Sequence, residues 1–212
     1  MKNELFNHGL TTKNFGHNLI TFDEIASTND YLNEKGSELP NGTVVITKYQ
    51  TKGRGRLDHK WIGEKNTSLM FSVLIKNEMK PELKIKIVFA AATALNLTIK
   101  KLYNITTEIK WPNDIYFSDK KIAGILCQMQ NNFVIAGIGL NVNQENFPDE
   151  IKDIASSLLL ITGIKVELFI VLSVFLNYFE NAVNTLCSEG FYPIKDEILK
   201  HFYLMDKEVD IE

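Results

Sequence analysis

The sequence predicts an α+β fold, with a mixed and largely antiparallel sheet flanked by helices. Three observations carry this reading. Between residues 107 and 141, short strand-like runs follow one another with tight turns, as in a β-meander. Two long stretches, after Pro81 and from Leu168, repeat apolar residues at three- and four-residue steps, as helices with one buried face do. Two further strand-like runs, residues 43–49 and 67–75, stand on either side of a polar loop. The chain has 212 residues, the size of one domain with at most a small appendage. Its 45% hydrophobic and 23% charged residues are ordinary globular values.

Residues 1–20 are polar, without a strong period, and too few for a DNA-binding domain. Ser27 followed by Asp30 fits a helix start with Ser27 as N-cap, and that helix should stop near Gly36. Pro40-Asn41-Gly42 turns the chain into the strand at 43–49. The run at 67–75 alternates as a strand with one buried face. Pro81 opens a long helix whose stripe is Val88, Ala91, Leu95, Ile99 and Leu102. Residues 107–111 run into Pro112-Asn113-Asp114, and 115–117 into a turn at 118–121. Residues 122–129 then pair across Asn131-Asn132 with 133–141. The last third is helical: Leu168, Leu172, Phe175, Phe179, Ala182 and Leu186 mark one long helix, and Pro193 precedes a shorter one. Residues 209–212 look like the start of a strand.

Composition narrows the function classes. A net charge of −3 argues against general nucleic-acid affinity, and the positive charge is local, at Lys48, Lys52, Arg54, Arg56 and Lys60. The two cysteines, Cys127 and Cys187, read as reduced, buried small hydrophobes, so a reducing cytoplasm is expected. No cysteines and histidines stand at zinc-finger spacing. The N-terminus has no apolar signal core, and no run approaches the roughly 18 apolar residues of a membrane span.

Four stretches carry more chemistry than structure requires. Ser27-Thr28-Asn29 places three small polar side chains at a helix start, where capping alone would also explain the serine. Gly53-Arg54-Gly55-Arg56 leaves a strand with two guanidiniums between glycines. That pattern suits an anion grip, and equally a solvated hairpin tip or a patch for nucleic acid or membrane. Lys110-Trp111-Pro112-Asn113-Asp114 makes a rigid corner that is also found at ordinary strand ends. Lys121-Ile122-Ala123-Gly124 brings a lysine into a strand of small residues. It is either a solvated strand end or a charge held against a buried carboxylate, with Gly124 leaving room for a ligand.

In this order, with Tyr49-Gln50, Trp61 and Gly137-Ile138-Gly139-Leu140-Asn141-Val142, the motifs resemble the catalytic module of biotin–protein ligases, from about residue 20 to the end of the chain. The resemblance implies a fold like that of class II aminoacyl-tRNA synthetases, with residues 1–205 as the catalytic domain and 206–212 as the first strand of a C-terminal β-barrel that is otherwise missing. It implies a monofunctional enzyme without a DNA-binding domain. That enzyme joins biotin and ATP into biotinyl-AMP, with Mg²⁺ on the leaving pyrophosphate, and passes the biotinyl group to a lysine of a biotin carboxyl carrier domain. It also implies neither DNA nor membrane as partner, and a monomer or homodimer.

The resemblance further assigns residues. Ser27, Thr28, Asn29, Gln50, Gly55 and Gly124 would hold biotin together with Arg54, Arg56 and Lys121. Lys121, Arg54, Arg56 and Asp114 would be catalytic, and Trp61, Lys110, Asn113 and Asn141 would serve the nucleotide. No metal ligand can be named. Trp111, Leu69 and Ile125 are candidate walls for an apolar slot. The loop of residues 51–59, with its crowded cations, is expected to be open until an adenylate supplies the missing anion. One departure is His59, where family loops often carry an arginine. The alternatives are a lipoate ligase, a protein that binds biotin or a nucleotide without turnover, and a nucleic-acid module using the basic loop.

Overall fold

The computed structural model describes residues 5, 8–57, 59–130 and 132–205. Its strands are β1 (Leu19–Phe22), β2 (Val44–Thr47), β3 (Ser68–Ile75), β4 (Glu108–Lys110), β5 (Asp114–Phe117), β6 (Lys120–Met129) and β7 (Val134–Asn141). They form one sheet in the order β1-β2-β3-β7-β6-β5-β4. β1 and β2 run parallel, and every other neighbouring pair is antiparallel. The mixed, largely antiparallel sheet read from the sequence is therefore what forms. Of the β6–β7 turn, Asn131 lies outside the described residues, as does the strand expected at 209–212.

The helices are α1 (Thr28–Lys35), α2 (Pro81–Lys84), α3 (Ile87–Tyr103), α4 (Leu158–Thr162), α5 (Leu168–Ser188) and α6 (Tyr192–Lys200). They cover both faces of the sheet. On one face Leu32 of α1 packs with Val45, Leu74, Phe133 and Ile135. On the other, α3 and α5 cross a core that includes Phe71, Leu95, Phe175 and Phe179. Because strand side chains alternate, β3 sends Phe71 and Val73 into one layer and Leu74 into the other. All eight residues of β3 are buried, so the expectation of a single buried face is corrected: the strand lies mid-sheet between two helical layers.

Other expectations also change. Pro81 opens only a single turn, α2, and the long helix restarts at Ile87 after a break at Ile85 and Lys86. α3 is buried over far more than one stripe, Ile87 and residues 89–96 included, because it lies between the sheet and α5. β1 and α4 escaped the sequence reading, being four and five residues long. By length and composition α5 could cross a membrane, but Val171, Leu172, Phe175, Phe179, Val183 and Leu186 are buried in the core. Both cysteines are free and only partly buried as residues, but the Cys127 thiol itself is turned inside, and that burial pushes its pKa up to about 12.

Residues 13–15, just before β1, are held to the helical layer. Glu180, a buried carboxylate in the middle of α5, accepts the backbone N–H groups of Lys13 at 2.6 Å, Asn14 at 2.7 Å and Phe15 at 2.9 Å. Phe15 packs on Phe179 at the same place. At the far edge, Ile109 of β4 donates its N–H to His201 and accepts that of Tyr203, so the chain closes this edge of the sheet itself.

Candidate active site

The sequence motifs converge where α1 begins beside the middle of the sheet. Gly124 on β6 stands opposite Gly139 on β7, and Leu126 opposite Gly137. These glycines leave backbone where side chains would stand. A methyl on Gly139 would lie 2.3 Å from the Trp61 indole, and one on Gly137 would lie 2.1 Å from Asn29 Oδ1. Trp61 and Asn29 therefore rest directly on the sheet, which only glycine permits. The room expected over Gly124 is taken by Trp61 and by Lys121, whose side-chain end would lie 3.3 Å from a methyl there. A cavity of about 270 Å³ remains between this floor, the start of α1, the basic loop and the corner at 111–114.

One end of the cavity is polar and neutral. Ser27, Thr28, Asn29 and Gln50 line it. Ser27 also caps α1, accepting the Asp30 N–H at 3.3 Å, so the capping reading holds for this serine whatever else it does. Gln50 Oε1 accepts the Thr28 N–H at 2.8 Å, which turns its Nε2 away from the helix. Thr28 Oγ1 lies 2.6 Å from Ser72 Oγ, and Ser72 donates to Asn29 Oδ1 at 2.6 Å.

The other end is charged. Lys121 Nζ lies 2.8 Å from Asp114 Oδ2. Asp114 Oδ1 and Trp61 Nε1 are buried without a hydrogen-bond partner among the described residues. Asn113 donates to the Ile125 carbonyl at 3.0 Å and accepts from Arg56 Nη1 at 3.3 Å, tying the basic loop to the corner. Arg54 is ion-paired with Asp30 in the first turn of α1, and this hydrogen-bonded carboxylate raises the pKa of the guanidinium. Four cations, Arg54, Arg56, Lys60 and Lys121, thus border a cavity lined by one carboxylate, Asp114, an arrangement fitted to an anionic ligand.

The basic loop does not have the open form expected of it. Gly55 N–H reaches the His59 carbonyl at 2.6 Å, Trp61 N–H reaches Gly53 at 3.1 Å, and Arg54 pairs with Lys60 across a small hairpin. Asp30 offsets part of the cation repulsion that would have opened it. Asp30→Ala should therefore speed tryptic cleavage after Arg54 or Arg56 several-fold in the unliganded protein, followed by mass spectrometry of the fragments. An unchanged rate would assign the closed form to the hairpin bonds alone.

Twelve of the fourteen residues expected at the site line the cavity, and Lys110 and Asn141 do not. Lys110 sits at the end of β4 with its Nζ 4.9 Å from the Tyr116 ring centroid and 5.3 Å from that of Tyr203. Asn141 is buried, donating to Ser156 and accepting from Gln144. Of the candidate apolar walls, Trp111 and Ile125 reach the cavity and Leu69 does not; Phe71, two residues along β3 in the same core layer, is a wall instead. Gly137 and Gly139 were quoted without a role, although glycines two apart in an apolar strand are themselves a sign of close approach. Ser72 and Gln128, which brace Asn29, left no local sign. A roomier cleft of about 770 Å³, between β1, β2 and the start of α5, contains none of these motifs.

The mixed sheet flanked by helices agrees with comparison against known proteins. The chain belongs to the biotin/lipoate A/B protein ligase family, whose family model matches residues 21–144. It is similar to the bifunctional ligase/repressor BirA of Bacillus subtilis, with 37% identity over 195 residues covering 88% of this chain and 60% of that protein. It is similar also to biotin–protein ligase 2 of Arabidopsis thaliana, with 31% identity over 206 residues, 91% of this chain and 60% of that protein. The chain thus spans about 60% of the length of these relatives. Among solved structures it resembles the biotin protein ligase from Aquifex aeolicus in complex with biotin and ATP. There the TM-score is 0.79 at 33% identity, over 88% of this chain and 78% of that one.

Proposed function

We propose that this chain is a biotin–protein ligase: it joins biotin to AMP at the expense of ATP, then transfers the biotinyl group to a lysine of a biotin carboxyl carrier domain. The observation that carries the reading is the two-ended cavity, with neutral hydrogen-bonding groups at Thr28 and Gln50 and cations at Lys121, Arg54 and Arg56. A ureido ring needs donors and acceptors, and a carboxylate approaching a phosphate needs positive charge. Trp111, Ile125 and Phe71 supply apolar surface for the ring sulfur and the aliphatic tail. Trp111 is steadied by stacking on Phe89 at 4.7 Å.

In the first step a biotin carboxylate oxygen attacks the α-phosphorus, a P–O bond forms, and the bond to pyrophosphate breaks. Two anions meet and charge grows on the phosphoryl oxygens, which Lys121, Arg54 and Arg56 offset. Asp114 holds the Lys121 ammonium in place. In the second step the neutral amine of the acceptor lysine attacks the acyl carbon and AMP leaves. Magnesium ions in such sites use one or two carboxylates and the substrate's phosphates. The described residues offer no cluster of three ligating groups, and the unpartnered Oδ1 makes Asp114 the residue that would hold the ion. Bound there, Mg²⁺ would neutralise charge on the departing pyrophosphate.

Incubation with biotin, ATP and a carrier domain, read by pyrophosphate release and a streptavidin blot, tests the reading. Biotin binding with neither product would make the chain a non-catalytic binder. Biotin alone should also raise the melting temperature by mass action, and lipoate at the same concentration should not. The reverse pattern in differential scanning fluorimetry would move the substrate to lipoate.

A further inference from the structure

We infer that Ser72, a fully buried residue outside the cavity, fixes the hydrogen-bond polarity of the neutral end and thereby makes it selective for a ring N–H. The inference rests on the proposed biotin reading and adds a specificity-determining residue to it.

The argument starts from a group with no choice. The Leu126 carbonyl can only accept, and it takes the Asn29 Nδ2 at 3.1 Å. Gln128 Oε1 accepts from the same nitrogen at 3.0 Å. The Asn29 amide is therefore oriented with Oδ1 toward Ser72, and that oxygen can only accept. Ser72 has one proton and gives it to Oδ1 across 2.6 Å. The 2.6 Å contact between Ser72 and Thr28 must then be made by the Thr28 proton. The only other acceptor near that proton is Gln50 Oε1 at 3.2 Å, itself oriented by the Thr28 backbone N–H. The Thr28 hydroxyl has no proton left for a ligand, so it meets the cavity as an acceptor. The Gln50 amide has its Oε1 committed to the Thr28 N–H, so what it has left to offer a ligand is Nε2, a donor. The two contacts of Ser72 are buried, so water does not scramble the order at its centre, and the bonds to Leu126, Gln128 and Gln50 around them are part-buried.

A ureido ring has N–H donors beside a carbonyl acceptor and matches this order. A ring with an oxygen in place of the N–H at Thr28 would set two lone pairs against each other. Removing the Ser72 hydroxyl leaves the Thr28 proton only the longer 3.2 Å contact with Gln50 Oε1, already taken by the Thr28 N–H, and from there it can turn toward a ligand oxygen and relax that penalty.

The test is isothermal titration of wild type, Ser72→Ala and Ser72→Cys with biotin and with the two cyclic carbamate analogues in which either ring N–H is replaced by oxygen. Wild type should reject at least one carbamate strongly. Ser72→Ala should lower the ratio of carbamate to biotin Kd for that isomer by about tenfold or more, the scale of one polar group left unmatched. Ser72→Cys, with a weak donor, should fall between, and it serves alone if the alanine variant does not fold. A pocket merely loosened would weaken all ligands alike and leave the ratio unchanged, and that result would overturn the inference. Failure of wild type to bind biotin would instead remove the function proposed above.

Discussion

Replacing Lys121 by alanine is expected to slow pyrophosphate release from biotin and ATP by about a hundredfold or more, while biotin affinity stays within about threefold. The ammonium is held 2.8 Å from Asp114 at the charged end of the cavity, away from the Thr28 and Gln50 end where the ring would sit. Its charge matters most when the carboxylate and phosphate close on one another, so the loss falls on the transition state rather than on the ground state. Removing one preorganised donor from such a site costs roughly 2.7–4 kcal/mol. The fold should survive, because Lys121 is partly exposed and its backbone bonds to Ile154 and Ser156 do not depend on the side chain. Single-turnover pyrophosphate release and biotin titration measure the two quantities. A rate within about threefold of wild type would remove Lys121 from the chemistry.

Glu180→Ala is expected to destabilise the folded chain by about 3–5 kcal/mol without touching the cavity. Three backbone N–H groups lose their acceptor in a buried place, and each unsatisfied donor costs on the order of 1–3 kcal/mol, less whatever water regains. For a chain of this size that is a fall in Tm of roughly 10 °C. Glu180→Gln separates the cause. Glu180 Oε1 serves Asn14 and Phe15, and Oε2 serves Lys13. An amide can keep the first oxygen but must set an NH₂ against the Lys13 N–H. Glutamine should therefore recover more than half of the loss. Urea unfolding of the two variants decides it, and a shift below about 2 °C for alanine would show that residues 13–15 are held by packing alone.

The parts of the fold legible in the sequence are those with local causes. The Ser27 cap, the stripes on α3 and α5 and the β6–β7 hairpin all arise from residues close in sequence. β1 was illegible because its partner is β2, parallel and 25 residues away (Leu19 against Val44), and four residues show no period. The break after α2 was missed because no glycine or proline marks Ile85 and Lys86. At the site, the charged motifs were visible because arginine and lysine beside glycine form a local pattern, and it was their order along the chain that separated them from ordinary loop tips. Lys110 and Asn141 lie off the cavity because each stands at a strand end with its side chain engaged elsewhere, Lys110 over the Tyr116 and Tyr203 rings and Asn141 with Ser156 and Gln144, so membership of a motif does not bring a side chain to the cavity. Ser72 was invisible since a buried serine on β3 looks the same whether or not it orders its neighbours.

The glycine floor has a thermodynamic consequence for binding. A surface of bare backbone has no rotamers with which to adapt, so what adjusts is its occupants: Asn29 over Gly137, Lys121 over Gly124 and, the largest of them, the Trp61 indole over Gly124 and Gly139. Any ligand that needs that surface competes with a residue of the same molecule, at a concentration that dilution cannot lower. Its apparent affinity is the intrinsic one scaled by the fraction of molecules in which the indole is lifted. Substitutions in the loop far from any ligand contact then act as changes in the strength of a tethered competitor. They shift apparent Kd values for chemically unlike ligands by one common factor.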